Sequence, residues 1–234
     1  MERMLKLSDR LMTIAGFVEP GASVVDVGTD HGYLPVYLAQ NGLADSIIAS
    51  DMSVGSLDKA RLSATKYGVS DKITFITAPG LSGIDGSNTD TVIIAGLGGE
   101  TIAEILAGAQ WTKRRDIKLI VQPQSKIREF CVFLRESGYS IRNAQLANDN
   151  DRLYVVILAC GGSSDSILEP ELELLTRLIF RRDPLLAGYL DDLITKTRRE
   201  LDGMKKSSVP DMLDVALRLS VYVSLKEEYN KCQL

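Results

Sequence analysis

VVDVGTDHGYLPVYLA, residues 24–39, joins a run of apolar, partly β-branched residues to a tight turn and then to a helical pattern. Two glycines bracket the turn, and their missing Cβ lets the backbone bend sharply and approach a ligand. Two acids, Asp26 and Asp30, and the only histidine of the chain, His31, stand in the same stretch. A strand that runs through such a turn into a helix is typical of the first unit of a doubly wound α/β fold.

The same alternation continues along the N-terminal two thirds of the chain. Apolar, β-branched segments recur about every 20 to 25 residues, with helical patterns between them. The predicted strands are 23–27, 46–50, 73–77, 91–95 and 117–121, and the predicted helices are 34–41, 54–67, 99–109 and 125–137. Strands that alternate with helices predict a parallel sheet, and strands that are apolar nearly throughout predict helices on both of its faces.

The pattern changes after the fifth strand. Segments 139–146 and 153–160 flank the turn-rich tetrapeptide NDND, residues 148–151, and predict an antiparallel hairpin at the sheet edge. The stretch CGGSSDS, residues 160–166, has the composition of a flexible linker. We therefore expect one α/β domain over 1–160 and a second, helical domain over 161–234.

The C-terminal part carries helical patterns only. Residues 168–182 look helical and stop before Pro184. Apolar positions then recur at spacings of three and four, at Leu186, Leu190, Leu193, Thr197, Leu201 and Met204, and afterwards at Met212, Ala216, Leu219 and Val223. This spacing predicts two antiparallel, coiled-coil-like helices that bury these positions against each other.

Basic side chains of the C-terminal part are interspersed with acids such as Asp191, Asp192 and Glu200. The basic residues are Arg177, Arg181, Arg182, Lys196, Arg198, Arg199, Lys205 and Lys206, of which Arg181, Arg182 and those in 196–199 lie off the predicted apolar seam. They are interpreted either as a solvated helical face or as a surface that holds a polyanion.

Composition excludes several classes of protein. The chain has 234 residues, 45% of them hydrophobic, and a net charge of −4. No apolar run approaches the roughly 20 residues of a membrane helix, and residues 1–21 read as an amphipathic helix instead of a signal peptide. Cys131, Cys160 and Cys232 form no C-x-x-C pair, so with a single histidine we expect no metal site and reduced thiols in a cytoplasmic protein.

The first loop indicates which kind of ligand binds at the carboxyl ends of the strands. A dinucleotide fingerprint, G-x-G-x-x-G, places glycine amides around a pyrophosphate, whereas the loop here reads G-T-D-H-G, from Gly28 to Gly32. Carboxylates at Asp26 and Asp30 would repel a pyrophosphate and suit a cationic ligand. S-adenosylmethionine carries both an ammonium and a sulfonium. Alternatively, Asp26 only accepts loop amides and Asp30 caps the following helix.

The loops after the other strands add polar and glycine-rich positions. Asp51, at the end of the second strand, can accept hydrogen bonds from both hydroxyls of a ribose. Nicotinamide-dependent enzymes use an acid in the same way, so Asp51 alone does not identify the cofactor. Alternatively, Asp51 is the N-cap of the following helix. The glycines of AGLGGETI, residues 95–102, have no side chains, so a flat ring could lie against the backbone there. Alternatively, these glycines only form a turn. VQPQ, residues 121–124, offers two amide side chains that could read a base edge.

Several of these motifs together resemble one enzyme family. DVGTDHGYLP, ASDMS, AGLGG, LIVQPQ and the opening LKLSDRL are similar to the bacterial tRNA (adenine-22-N1)-methyltransferases. The resemblance covers essentially 1–160, and the C-terminal part matches in pattern more than in residues. It implies a Rossmann-like methyltransferase sheet with a C-terminal helical extension, S-adenosyl-L-methionine as cofactor, and tRNA as substrate at N1 of an adenine in the D-arm region.

The resemblance and the loop positions together predict the site residues. The predicted cofactor-binding residues are Asp26, Gly28, Thr29, Asp30, Gly32, Tyr33, Leu34, Asp51, Met52, Ser53, Pro79, Gly80, Leu81, Ala95 and Gly96. The predicted substrate-binding residues are Arg10, Gly98, Gly99, Gln122, Pro123 and Gln124. Asp30 and His31 are the predicted catalytic residues.

The chain departs from the family pattern at two positions. Leu97 stands where the family usually has methionine. After the third strand the family tends to read G-D-G-L, whereas this chain reads APGL, residues 78–81, so Pro79 replaces the acid that would face the adenine amino group. Either a backbone group takes over that role or the cofactor binds more weakly.

Adenine N1 has a free lone pair, so the implied reaction needs no general base and depends on positioning. The ring becomes positively charged, which Asp30 would stabilise, while His31 would orient the base by stacking or hydrogen bonding. A helix-start histidine bonded to backbone is the alternative for His31. Rival functions are a methyltransferase for a protein or small molecule and a non-catalytic adaptor on the same fold. We expect a monomer.

Overall fold

The structure, a computed structural model, describes residues 4–163, 166–207 and 212–232, except for the side chains of residues 206, 207 and 232. The N-terminal part is built on a seven-stranded sheet in the order β3-β2-β1-β4-β5-β7-β6. The strands are β1 Ala22–Val27, β2 Ala44–Asp51, β3 Ile73–Thr77, β4 Thr91–Leu97, β5 Lys118–Pro123, β6 Tyr139–Asp149 and β7 Arg152–Gly161. The first five pair in parallel, and β7 runs antiparallel to both β5 and β6. The predicted α/β class is confirmed.

The apolar strands lie where the pattern predicts. Val92, Ile93 and Ile94 of β4 are completely buried although their side chains alternate between the two faces of the sheet. Both faces are therefore covered, which is why these strands read as continuous apolar runs. The third strand, Ile73–Thr77, has the predicted bounds, and the other four parallel strands differ by at most two residues at either end.

The helices that cover the α/β part follow the predicted order. They are α1 Asp9–Ala15, α2 Tyr33–Gln40, α3 Val54–Lys66, α4 Gly99–Gly108 and α5 Ile127–Glu136. The prediction of one helix over 1–21 is wrong in its extent: residues 4–8 are not helical, and α1 ends at the C-cap Gly16. Pro20 and Gly21 then form the turn that leads into β1, which ends any helical pattern there.

The predicted hairpin is present and its turn is tighter than the NDND tetrapeptide indicates. β6 extends to Asp149 and β7 begins at Arg152. Only Asn150 and Asp151 lie outside the ladder, with φ of 53° and 59°. Two-residue hairpin turns with both φ values positive favour Asn, Asp and Gly, which explains the choice of residues.

The chain divides into two compact units, Met1–Arg177 and Leu178–Leu234. α6, Pro170–Arg181, crosses this division, and residues 164 and 165 of the sequence-predicted linker lie outside the described residues. Within the first unit, Arg135 donates to Glu173 Oε2 at 3.0 Å, so the start of α6 is tied to α5. The division at 160/161 stays a prediction.

The second unit contains two antiparallel helices, α7 Leu186–Ser207 and α8 Met212–Cys232. Arg218 of α8 donates to Glu200 of α7 at 2.8 Å. Lys226, two turns later on α8, pairs with Asp191, which lies earlier on α7. The later residue on α8 thus pairs with the earlier residue on α7, so the two helices are antiparallel, as predicted.

The buried seam of this helix pair differs in part from the predicted one. Leu186 and Leu190 of α7 are buried as expected. On α8, however, Met212 is 38% exposed, and Val215, Tyr222 and Tyr229 take the buried positions at intervals of seven residues. The two tyrosines contribute large apolar surface, and Tyr229 Oη donates to the carbonyl of Asp183 at 2.6 Å. Coiled-coil geometry itself stays a prediction.

In the parts of the chain that the structure describes, no helix is long and apolar enough to cross a membrane. Among the same residues, no group of three or more His, Cys, Asp or Glu side chains could hold a metal ion. Cys131 is buried and Cys160 half-buried, and both are free thiols, while the Cys232 side chain lies outside the described residues.

Candidate functional site

A cavity of about 960 Å³ opens at the carboxyl ends of the parallel strands. Its walls are the loops after β1, β2, β3 and β4 together with one side of α4. β1 and β4 are neighbours in the sheet, and the chain leaves them in opposite directions to β2 and β5, so the cavity lies at the point where strand order reverses. Open α/β sheets bind their ligands at this position.

Most of the predicted site residues meet in this cavity. Those that line it are Arg10, Asp26, Gly28, Thr29, Asp30, His31, Tyr33, Leu34, Asp51, Met52, Pro79, Gly80, Leu81, Ala95, Gly96 and Gln124. Those that do not line it are Gly32, Ser53, Gly98, Gly99, Gln122 and Pro123. The roles of all these residues stay predictions.

The loop after β1 has an unusual backbone that explains its glycines. Gly28, Asp30 and Gly32 have φ of 72°, 48° and 67°, in the left-handed region that favours glycine and tolerates Asp. A Cβ on Gly32 would lie 2.8 Å from the Cβ of Ala60 in α3, so Gly32 also permits close packing of α2 on α3. Gly32 itself is the N-cap of α2, so the alternative in which Asp30 caps that helix is wrong.

Asp26 is a buried carboxylate in the cavity wall. Only 5% of the residue is exposed. Burial raises the pKa of Asp26 from 3.8 to about 6, the Thr29 hydroxyl opposes the rise, and the nearby Asp51 carboxylate adds to it. A negative charge that is costly at this buried position would be stabilised by a cationic ligand group.

Asp51 connects the first two loops of the cavity. Its Oδ2 accepts the backbone N–H of Asp30 at 3.1 Å, and its Oδ1 accepts the backbone N–H of Ser53 at 2.9 Å. Ser53 is the N-cap of α3 and accepts from Ser56, so the alternative in which Asp51 caps the helix is wrong. Each carboxylate oxygen has a further lone pair, so Asp51 can still accept ligand hydroxyls.

The two predicted catalytic side chains are neighbours at the cavity mouth. His31 Nε2 lies 3.8 Å from Asp30 Oδ2, and both side chains are substantially exposed. The His31 ring stacks on Tyr33 with the centroids 5.4 Å apart and an interplanar angle of 13°. A carboxylate beside an exposed aromatic platform can hold a flat ring and balance positive charge on it.

Arg10 is held in place by residues far away in sequence. Its Nη1 donates to Gln122 Oε1 at 2.9 Å, its Nε lies 3.7 Å from Asp149 Oδ2, and its guanidinium lies 5.6 Å from the ring centre of Tyr154. Gln122 is completely buried, and its amide donates to the carbonyl of Pro123. Gln122 therefore acts on the cavity through Arg10, which is the only Lys or Arg among the lining residues.

The glycines that begin α4 have a packing role. A Cβ on Gly99 would lie 2.8 Å from the carbonyl oxygens of Ser125 and Lys126, and the N–H of Gly99 donates to the Ser125 carbonyl at 3.0 Å. Gly98, the N-cap of α4, lies beside the Ser125 hydroxyl. These two residues therefore set the position of α4, whereas Gly96 lies in the cavity wall.

Sequence reasoning missed one side of the cavity. Thr101, Glu104, Ile105 and Gly108 of α4 line it at spacings of three and four, as one face of a helix does. Further lining residues that were not predicted are Leu11, Val27, Ser56, Ala78, Ser82 and Leu97. The periodicity of α4 was visible in the sequence, but which of its faces meets the cavity depends on tertiary packing.

Comparison with known proteins assigns the family. A family model described as a methyltransferase domain matches residues 7–157. The tRNA (adenine(22)-N(1))-methyltransferase of Bacillus subtilis (strain 168) is 32% identical over 162 residues, which are 69% of this chain and 68% of that protein.

Solved structures have the same fold over nearly the whole chain. The B. subtilis tRNA methyltransferase TrmK is 25% identical, with a TM-score of 0.77 over 97% of this chain and 98% of that one. A Streptococcus pneumoniae protein in complex with S-adenosyl-L-methionine is 23% identical, with a TM-score of 0.81 over 94% of this chain and 100% of that one. By its matched domain and its relatives, the chain belongs to the tRNA (adenine-22-N1)-methyltransferase family.

Proposed function

We propose that this protein transfers a methyl group from S-adenosyl-L-methionine to N1 of adenine 22 in tRNA. The observation that carries the proposal is the buried Asp26 carboxylate in a large cavity at the switch point of a methyltransferase sheet. Its charge is unfavourable without a cationic partner. The family supplies both the reaction and the substrate, and a tRNA substrate is consistent with the cytoplasmic location expected from the sequence.

The cavity fits the cofactor in charge and in shape. Asp26 would hold the ammonium group of the methionyl part, and Asp51 would accept the ribose hydroxyls, one strand further along the sheet. The N-cap Gly32 has no side chain to accept from the first-turn amides of α2, which leaves these donors for an anionic ligand group. When bound, the cofactor supplies an electrophilic methyl group on a positively charged sulfur.

The chain's own residues would contribute mainly orientation and electrostatics. The adenine N1 lone pair needs no deprotonation, so no general base is required. The His31–Tyr33 stack would position the base, and the Asp30 carboxylate would stabilise the positive charge that the ring acquires. N1 lies on the pairing edge, so the base must be unpaired and presented to the cavity.

We further assign methyl transfer to residues 1–160 and the holding of tRNA to the helical segment 161–234. Lys196, Arg198 and Arg199 are all exposed on α7. In the described side chains, these three cations take part in no ion pair. They are available for phosphate contacts.

Transfer to the proposed atom can be tested directly. The full-length protein is incubated with tritiated S-adenosyl-L-methionine and a tRNA transcript, and a transcript with guanine at position 22 serves as the control. We expect tritium in the first transcript only, together with a reverse-transcription stop at adenine 22, since an N1-methyl group blocks pairing. Label in both transcripts, or label without the stop, would contradict the assignment.

Removing the Asp51 carboxylate is expected to weaken cofactor binding. Asp51→Ala should raise the Kd for S-adenosyl-L-methionine by about 10- to 100-fold, the range for lost hydrogen bonds to a charged group. Asp85→Ala is the matched control because Asp85 accepts the N–H of Ser87 at 2.9 Å as Asp51 accepts that of Ser53, but lies outside the cavity. Calorimetry that gives both variants the wild-type Kd would remove Asp51 from the cofactor site.

Asp30 and His31 are expected to affect turnover more than cofactor affinity. Asp30→Asn keeps a residue that tolerates the left-handed backbone at φ 48°, and His31→Ala removes the stack on Tyr33. Each variant should lower kcat by about tenfold, a modest effect because both side chains are largely exposed. The Kd for the cofactor should stay within about twofold. A Kd that rises in proportion to the loss of activity would assign both residues to cofactor placement instead.

A further inference from the structure

The adenine of the proposed cofactor would face the loop after β3, since the sheet order places β3 next to β2. Asp51 at the end of β2 pairs with Thr77 at the end of β3. With the ribose on Asp51 and the methionyl part at the loop after β1, the base extends in the opposite direction. Residues 78–82 line the cavity there.

Three carbonyls of this loop already accept hydrogen bonds, and the Ser82 hydroxyl in the cavity wall is a neutral acceptor. Pro79 has no polar side chain, and its carbonyl accepts the N–H of Ser82 at 3.2 Å. The carbonyl of Leu81 accepts the N–H of Ile84 at 3.2 Å, and that of Gly80 lies 3.5 Å from the Ser50 hydroxyl, which donates to it. An adenine amino group needs an acceptor once it is removed from water.

α4 brings a carboxylate to this part of the cavity. A Cβ on Gly80 would lie 2.9 Å from Ile105, so the loop and the helix are in direct contact. Glu104 precedes Ile105, lines the cavity, and lies between Thr101 and Gly108 on the helix face that meets it. Of the other acidic residues in the cavity wall, Asp26 lies in β1 and Asp30 in the loop after it. Asp51, at the end of β2, contacts this loop through its carbonyl, which accepts the N–H of Ala78, while its carboxylate accepts the N–H groups of Asp30 and Ser53.

We propose that Glu104 accepts a hydrogen bond from the 6-amino group of the cofactor's adenine, the role that Pro79 cannot fill, and so selects an adenosyl over an inosyl cofactor. The inference rests on the proposed function for the identity of the ligand. A carboxylate favours an amino donor and repels the carbonyl oxygen that inosine has at the same position.

The test compares S-adenosylhomocysteine with S-inosylhomocysteine on the full-length protein by calorimetry. The wild type should prefer the adenosyl compound by about 100-fold or more, since both a lost bond and a repulsion oppose the inosyl compound. Glu104→Gln should raise the Kd for the adenosyl compound by about tenfold. The same variant should bind the inosyl compound more tightly than the wild type does, because an amide can donate to the carbonyl. Adding Pro79→Asp to Glu104→Gln should restore the preference.

Glu100→Gln is the matched control, since Glu100 belongs to the same helix but does not line the cavity, and it should leave the preference unchanged. If Glu104→Gln keeps the wild-type preference while S-adenosylhomocysteine still binds, the assignment of Glu104 fails and the proposed function stands. If the wild type binds neither compound, the proposed function fails and this inference with it.

Discussion

Asp26→Asn is expected to make the cofactor-free protein more stable by about 3 kcal/mol at pH 8 while it weakens cofactor binding by at least about tenfold. The stability figure follows from a pKa raised from 3.8 to about 6, at roughly 1.4 kcal/mol per unit. The affinity loss follows because the asparagine amide offers no charge to the ammonium group.

The pH dependence of this effect has a definite sign. The folded-state pKa of Asp26 lies above its unfolded value, so its protonated form stabilises the protein below pH 3.8, and this contribution is lost as the pH rises through about 6. The difference in free energy of unfolding between the variant and the wild type should therefore be near zero at pH 3.8. It should increase as the pH rises through about 6 and reach its full value by pH 8. The wild-type Kd for S-adenosyl-L-methionine should in turn rise as the pH falls below about 6.

Chemical denaturation across this pH range, without cofactor, measures the stability difference, and calorimetry measures the Kd. Asp71→Asn is a suitable control because Asp71 is exposed and lies outside the cavity. An Asp26→Asn protein that is less stable than the wild type at pH 8 would mean that the ionised carboxylate is stabilised by the protein itself. Unchanged cofactor affinity would remove Asp26 from the site.

The sheet could be predicted because its local signals agree with its tertiary environment. Central strands such as β4 are buried on both faces, so a short apolar run and a strand coincide there. The first loop could also be predicted, because positive φ at Gly28 and Gly32 leaves glycine as the natural choice. These features depend on neighbours in sequence and on the order of the strands.

Features that depend on which helix faces and loops pack together in the folded chain could not be predicted from the sequence. α8 has apolar residues on several sides, with Leu213 and Leu217 exposed and Val215 and Tyr222 buried, so its periodicity does not single out one seam. Glu104 looks like an ordinary charged position of an amphipathic helix. The bond between Arg10 and Gln122 joins residues 112 positions apart, so nothing local indicates that Gln122 is buried as a support for Arg10.

Reversing the charge of three cations on α7 is expected to abolish most tRNA binding. The variant combines Lys196→Glu, Arg198→Glu and Arg199→Glu, all on exposed positions. We expect tRNA affinity to fall by at least about 100-fold at 0.1 M salt, because three phosphate contacts are replaced by repulsion. The slope of log K against log salt should shrink by about 3, and the Kd for S-adenosyl-L-methionine should stay at the wild-type value.

A control of equal charge tests whether the effect belongs to the helices. Lys59, Lys66 and Lys72 are exposed in the α/β part and do not line the cavity, so their reversal to Glu changes the net charge by the same amount. Because the whole chain is acidic, a general loss of attraction would weaken both variants alike. If the α7 variant binds tRNA as the wild type does, or no worse than the control, then the helices do not hold tRNA through these cations. A steep loss in the α7 variant alone would assign tRNA holding to α7, as its unpaired cations lead us to expect.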